Sequence, residues 1–333
     1  MAFSPKRCLI VGPSWVGDMV MAQSLFMALK ERFPDLQIDV LAPAWSKSIL
    51  AAMPEVHTAI EMPLQHGELA LGKRYQLGKD LRANAYDWAI VLPRSLKAAL
   101  VPFWANIPVR TGYKGEMRYW LLNDIRPLDK SVLTMTVQRF VALGLPADTN
   151  LPPDIQPPHL VVAHASATVL TSPVLALCPG AEYGGAKRWP ADYFAAVAKY
   201  YIAQGGKVIL LGSAKDALVT AQIANTVNLP AACQDLAGKT SIREVLELLA
   251  QADQVVSNDS GLMHVAAAVG TPVIAVYGSS DPMYTPPLSD KAQIVYLGLE
   301  CSPCFKRECP LGHLDCLQKI TPEQVIARLG APP

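Results

Sequence analysis

The sequence predicts an α/β protein built of two doubly wound domains. Three observations predict it. Short apolar runs each end at Gly or Pro, helical patterns alternate with those runs, and a proline-rich stretch divides the chain near its middle. Apolar runs without alternation suit parallel strands buried on both faces, and their alternation with helices implies a parallel sheet covered on both sides.

The elements follow in order. Cys8–Val11 is an apolar run stopped by Gly12-Pro13, so it reads as a buried strand entering a loop. From Asp18 to Phe33, apolar Ala22, Leu25, Phe26, Leu29 and Phe33 recur at spacings of three and four, which predicts an amphipathic helix ended by Pro34. Ile38–Ala42 and Trp88–Leu92 are further strands, each closed by a proline. Residues 146–173 hold Pro146, Pro152, Pro153, Pro157, Pro158 and Pro173, which forbids a regular helix or central strand and marks the interdomain linker. The expected domains are 1–160 and 161–333. In the second, Leu175–Cys178, Lys207–Leu211, Gln254–Val256 and Pro272–Val276 read as strands. A helix follows Pro190 with Asp192 in its first turn, Ser241 and Glu244 form a capping box for another, and 262–269 look helical.

Composition narrows the function. The 333 residues are 51% hydrophobic and 17% charged, which excludes a disordered chain. Basic and acidic side chains nearly balance, 29 against 28, so no global polyanion-binding role and no nucleic-acid partner are expected. Mean hydropathy is +0.22, yet the longest apolar stretch, Val265–Val269 with Thr271–Tyr277, is broken by Gly270 and Pro272. No segment approaches the roughly 20 apolar residues of a membrane span. Pro13, Gly17 and Asp18 interrupt the first apolar run, so no signal peptide is expected and the reading is an intracellular protein.

In open α/β sheets ligands bind beyond the carboxyl ends of the strands, and with two such domains a cleft between them is the expected site. The unusual residues do lie after strands. Gly12-Pro-Ser-Trp-Val-Gly-Asp18 places a carboxylate at a strand–helix turn, where Asp18 is either a helix N-cap or a general base. The loop has neither the P-loop nor the dinucleotide glycine pattern. Cys178–Pro190 carries Gly180, Gly184 and Gly185 with Lys187 and Arg188, a loop able to offer backbone donors and a cation to a diphosphate. Gly212 and Ser213 could lie under a nucleotide, though an ordinary strand–helix turn is the simpler reading. Ser257–His264 sets Asp259, Ser260 and Gly261 at a helix N-terminus, suited to sugar hydroxyls and phosphate oxygens, with His264 on the same helix.

Together these loops carry a resemblance. Asn258-Asp-Ser-Gly-Leu-Met-His264 with its alanine-rich helix, Pro13–Asp18 with Met19–Ser24, Arg94-Ser-Leu-Lys97, Arg110–Tyr113, Gly115–Tyr119, Pro179–Glu182 and Ala186–Pro190 are similar to motifs of the ADP-heptose:lipopolysaccharide heptosyltransferases, in particular the group that adds the second inner-core heptose. The likeness runs from about residue 8 to about residue 290. It implies the GT-B fold, two Rossmann-like domains facing a central cleft, and inverting transfer of L-glycero-D-manno-heptose from ADP-heptose to the first heptose of the Kdo2–lipid A core. It implies no cofactor. Asp18 would deprotonate the acceptor hydroxyl, and Lys187 would stabilise the departing diphosphate, work done by a divalent metal in other transferase folds. Gly180, Gly212, Ser213, Asp259, Ser260, Gly261 and His264 would complete the donor site. Ser213–Asp216 is not a clear match to the family's ribose-contacting position. The acceptor is a multiply anionic glycolipid, so Arg94, Lys97, Arg110, Lys114 and Arg118 are expected to bind it, although solvated surface charges are the simpler alternative. With Trp104, Tyr113, Tyr119 and Trp120 they would draw the protein transiently to the cytoplasmic face of the inner membrane.

The cysteines separate into two sets. Cys8 and Cys178 lie in strand-like runs and, with Cys233, read as small buried hydrophobes. Cys301, Cys304, Cys309 and Cys316 read first as free thiols or an adventitious metal site, then as structural zinc or a disulfide pair, with spacings irregular for a zinc knuckle. Two other functions stay open: a non-enzymatic sugar-nucleotide binder on the same fold, and a heptosyltransferase for another core acceptor. A nucleotide-sugar epimerase is disfavoured, because the sequence has no Gly-x-x-Gly-x-x-Gly turn.

Overall fold

The structure is a computed structural model that describes residues 3–64, 67–147, 152–162, 170 and 173–330. The chain divides into two compact units, residues 1–158 and 159–333.

The first unit holds one parallel sheet of strands β1 (Arg7–Val11), β2 (Gln37–Ala42), β3 (Val56–Glu61), β4 (Trp88–Val91), β5 (Val109–Tyr113) and β6 (Asp124–Arg126). Their order is β3-β2-β1-β4-β5-β6. The second unit holds β7 (Val174–Cys178), β8 (Lys207–Leu210), β9 (Cys233–Asp235), β10 (Gln254–Asn258), β11 (Val273–Val276) and β12 (Ala292–Val295). They are ordered β12-β11-β10-β7-β8-β9. Read from β9, that is the first unit's arrangement again, and every pairing in both sheets is parallel.

The order places the site. In such a sheet the chain reverses direction between the first and fourth strands, leaving a crevice at their carboxyl ends. In the first unit this switch lies between β1 and β4, whose exits are Gly12 and Pro93. In the second it lies between β7 and β10, whose exits are Pro179 and Asp259. Continuous burial explains why these four strands form: Cys8, Leu9 and Ile10, like Leu175, Ala176 and Leu177, are fully buried. The edge strands Asp124–Arg126 and Ala292–Val295 were not expected from sequence, because they are partly exposed and carry no unbroken apolar run. Cys8, Cys178 and Cys233 are buried, and burial pushes the Cys178 thiol up to about 12. Residues 152–162 form neither helix nor strand. The rest of the proline-rich stretch lies partly outside the described residues. Among the described residues no helix is long and apolar enough to cross a membrane.

Candidate active site

In the first unit, β1 delivers the chain into the helix Val16–Arg32. Trp15 is its N-cap in extended conformation and makes no side-chain cap bond, so Asp18 lies inside the first turn and not at the N-cap position itself. A first-turn carboxylate is still favoured by the helix dipole. Asp18 is half-buried on the wall of a pocket of about 1200 Å³, formed wholly within this unit, with Arg94, Lys97, Lys73 and Arg74 around it.

The five expected acceptor cations are divided. Arg94 and Lys97 line the pocket; Arg110, Lys114 and Arg118 do not. Arg118 is 1% exposed. Its guanidinium donates to Pro93 O at 2.6 Å, Ser95 O at 3.3 Å, and Tyr113 O at 3.2 and 2.6 Å. Burial, and then the neighbouring Arg94, lower its pKa to about 10, which leaves it charged at neutral pH. Arg110 donates to Leu121 O at 2.7 Å and to Ile107 O. The expectation of Arg118 as a surface cation is corrected, since its guanidinium is buried among carbonyls at strand ends, while Arg110, half-buried, bonds two carbonyls outside the pocket. Lys114 is exposed and lies 5.9 Å from the Tyr119 ring centre. Tyr113 is corrected too, being buried with its hydroxyl donating to Arg139 O.

Arg74 escaped the sequence reading. It is 5% exposed and donates to Leu69 O at 2.7 Å, Glu68 O at 3.0 Å and Lys97 O at 3.3 Å, pinning one wall of the pocket to another. It lies in the helix Leu71–Leu81, whose weak apolar pattern gave no signal.

In the second unit the loops after β7 and β10 are knitted together. Lys187 Nζ donates to Asp259 Oδ2 at 2.5 Å, and Ser280 Oγ donates to the same oxygen. Asp259 is 5% exposed, so its charge is matched in place. Lys187 also lies 5.0 Å from the Tyr183 ring centre. Asn258, fully buried, ties the two loops: Nδ2 donates to Pro179 O at 2.7 Å and Oδ1 accepts from Trp189 N at 3.0 Å. Its neighbours in the motif drew attention, while its own role needed the fold. Ser260 precedes the helix Gly261–Ala268 in extended conformation, and no side chain caps that helix. Its amino end therefore keeps backbone donors for an anion. His264 is buried on this helix. Burial lowers its pKa to about 4, with Asp259 and Lys187 acting in opposite senses, so the ring is neutral at pH 7.

Gly180, Gly212 and Ser213 come together around Asp216 instead of around open space. A Cβ on Gly180 would lie 2.5 Å from the Asp216 carboxyl carbon. Asp216 Oδ2 accepts from Ser213 N at 2.9 Å and Ser213 Oγ at 2.7 Å. The glycines are required by this carboxylate, and the serine hydroxyl donates to it. Gly184 has φ +153° and its Cα faces Arg307 O closely. At Gly184 the close approach is made by the chain's own cysteine segment, to which Ala186 N donates at Arg307 O (3.0 Å) and the Tyr183 hydroxyl at Phe305 O (2.7 Å), whereas Gly185 has no atom near its Cβ position. Cys301, Cys304, Cys309 and Cys316 are free thiols, with Cys316 buried. Among the described residues no group of three or more His, Cys, Asp or Glu is arranged to hold a metal.

Comparison with known proteins agrees with this architecture. Residues 74–315 match the pattern of glycosyltransferase family 9 (heptosyltransferase). The chain is 46% identical to lipopolysaccharide heptosyltransferase 2 of Salmonella typhimurium, over 97% of each chain. It is 48% identical to lipooligosaccharide heptosyltransferase 2 of Haemophilus influenzae, over 97% of this chain and 98% of the relative. The solved structure of Escherichia coli ADP-heptose LPS heptosyltransferase II superposes with a TM-score of 0.87 at 42% identity, over 97% of each chain. This chain belongs to glycosyltransferase family 9, the heptosyltransferases.

Proposed function

We propose that this protein transfers L-glycero-D-manno-heptose, with inversion, from ADP-heptose to the first heptose of the Kdo2–lipid A inner core. The observation that carries the reading is the Lys187–Asp259 pair beside the uncapped amino end of the helix Gly261–Ala268, in a chain similar along nearly its whole length to heptosyltransferases 2. Asp18 takes the proton of the acceptor hydroxyl as its oxygen attacks the anomeric carbon of the donor. The bond from that carbon to the diphosphate breaks, and the charge that develops on ADP meets the Lys187 ammonium and the helix amides. Lys187 is held by Asp259. With donor bound, the lysine turns to the diphosphate and Asp259 holds heptose hydroxyls. Arg94 and Lys97 bind acceptor carboxylates or phosphates. The acceptor is anchored in a bilayer, so the protein works at the cytoplasmic face of the inner membrane as a peripheral visitor.

The test is ADP release on mixing the protein with ADP-heptose and heptosyl-Kdo2–lipid A, with mass spectrometry of the product. One added heptose is expected. Transfer to Kdo2–lipid A but not to its heptosylated form would overturn the acceptor assignment.

A further inference from the structure

The loop after β5 presents two large apolar side chains to solvent: Met117 is 84% exposed and Trp120 89%. The loop is nonetheless held firmly. Arg118, between them, is buried with its donors on Pro93, Ser95 and Tyr113 carbonyls. Glu116 Oε2 accepts from Leu96 N at 2.7 Å. Glu116 and Met117 have φ of +30° and +49°, a left-handed backbone that non-glycine residues seldom adopt. Several hydrogen bonds, most of them from the buried Arg118, therefore hold a strained loop that leaves a tryptophan and a methionine in water. The loop before the helix Leu71–Leu81 does likewise with half-exposed Leu69 and Leu71, and its anchor, Arg74, bonds Glu68, Leu69 and Lys97 carbonyls. Both loops are thus tied to residues 94–97, on the wall of the Asp18 pocket. The cations there are Lys73, Arg74, Arg94, Lys97 and Lys114. The acids are Asp18 and Glu61 on the pocket lining, Glu68, paired with Lys73 at 3.8 Å, and Glu116, which accepts from Leu96 N, so the cations outnumber the acids by one.

We propose that Met117 and Trp120, with Leu69 and Leu71, form a wedge that inserts into the interface of an anionic lipid bilayer and sets the Asp18 pocket against it. Tryptophan favours the headgroup level, where its ring is apolar and its N–H stays wet, and neighbouring cations add attraction to anionic lipid. The inference deepens the acceptor reading and rests on it for its purpose, yet it can fail separately.

The experiment floats the full-length protein on vesicles of phosphatidylethanolamine and phosphatidylglycerol that contain no acceptor. Wild type is expected to bind, and less so in high salt or on phosphatidylcholine alone. The double variant Met117→Ser/Trp120→Ser should bind on the order of tenfold more weakly or worse. Its thermal midpoint and its turnover on a deacylated, water-soluble acceptor should match wild type. Vesicle binding equal to wild type in the variant, or none by wild type, overturns the wedge. So does a variant that changes only self-association in sedimentation velocity, which makes the surface a protein interface. Failure of wild type to glycosylate the soluble acceptor would strike the proposed function instead, and the vesicle measurement would still decide the wedge.

Discussion

The two units share a strand order and differ in what their loops do with it. In the first, the loops beyond β1 and β4 stand apart and leave a pocket of about 1200 Å³ with cations on its walls. In the second, the loops beyond β7 and β10 are bonded to one another through Lys187, Asp259, Ser280 and Asn258. One sheet topology thus supports an open, charged basin and a closely bonded polar cluster, because the sheet fixes only where the loops begin. Under the proposed function the open basin takes the anionic acceptor and the bonded cluster the nucleotide sugar.

Four perturbations break or sharpen that contrast. The largest effect is expected in the open basin. Asp18→Asn keeps the shape of the first helical turn while removing the base, so turnover should fall by about 10²–10⁴-fold with donor KM unchanged. Near-normal ADP release would return Asp18 to a purely structural role. In the bonded cluster, Lys187→Ala removes a charge-assisted contact of about 1.5–3 kcal/mol, so donor kcat/KM should fall by about 10–150-fold. Steady-state kinetics at saturating acceptor would show it, and an effect confined to acceptor KM would mean the two units had been assigned in reverse.

The third perturbation addresses stability. Arg118→Met leaves the carbonyls of Pro93, Ser95 and Tyr113 without their donors, which should cost on the order of 2–4 kcal/mol in urea unfolding while donor KM stays put. A variant as stable as wild type with raised acceptor KM would restore the arginine to the binding site. The smallest effect is a pH dependence in the second unit. His264 has a folded pKa of about 4 against an ordinary 6.5, so the unfolded chain takes up a proton that the folded one refuses. Its contribution is fully present above about pH 6.5 and is lost as pH falls toward 4. Between pH 7 and about 5, wild type should therefore lose more of its urea midpoint than His264→Gln; parallel losses would contradict burial as the cause.

The sequence by itself determined the class of fold and the neighbourhood of the site. Buried parallel strands such as Cys8–Val11 and Leu175–Cys178 are locally apolar and end at Gly or Pro, so periodicity and punctuation betray them. The loops that follow such strands are where a doubly wound sheet exposes polar residues, and Asp18, Lys187 and Asp259 all lie there. What only the tertiary structure decided is how each polar group is used. Arg118 and Arg94 look alike in a basic stretch, but one carries donors into the protein among buried carbonyls and the other faces the pocket. Gly180 and Gly212 look like a phosphate cradle in sequence, and the fold shows that the Asp216 side chain, which comes after both, packs against them. Asn258 carries no local signal, because the carbonyl and amide it bonds lie 79 and 69 residues away, and Arg74 joins its own preceding loop to the distant Lys97 carbonyl. Hydrogen bonds are satisfied in space and not along the chain, so whether a charged side chain serves the fold or a ligand depends on which carbonyls the finished structure brings within about 3 Å of it.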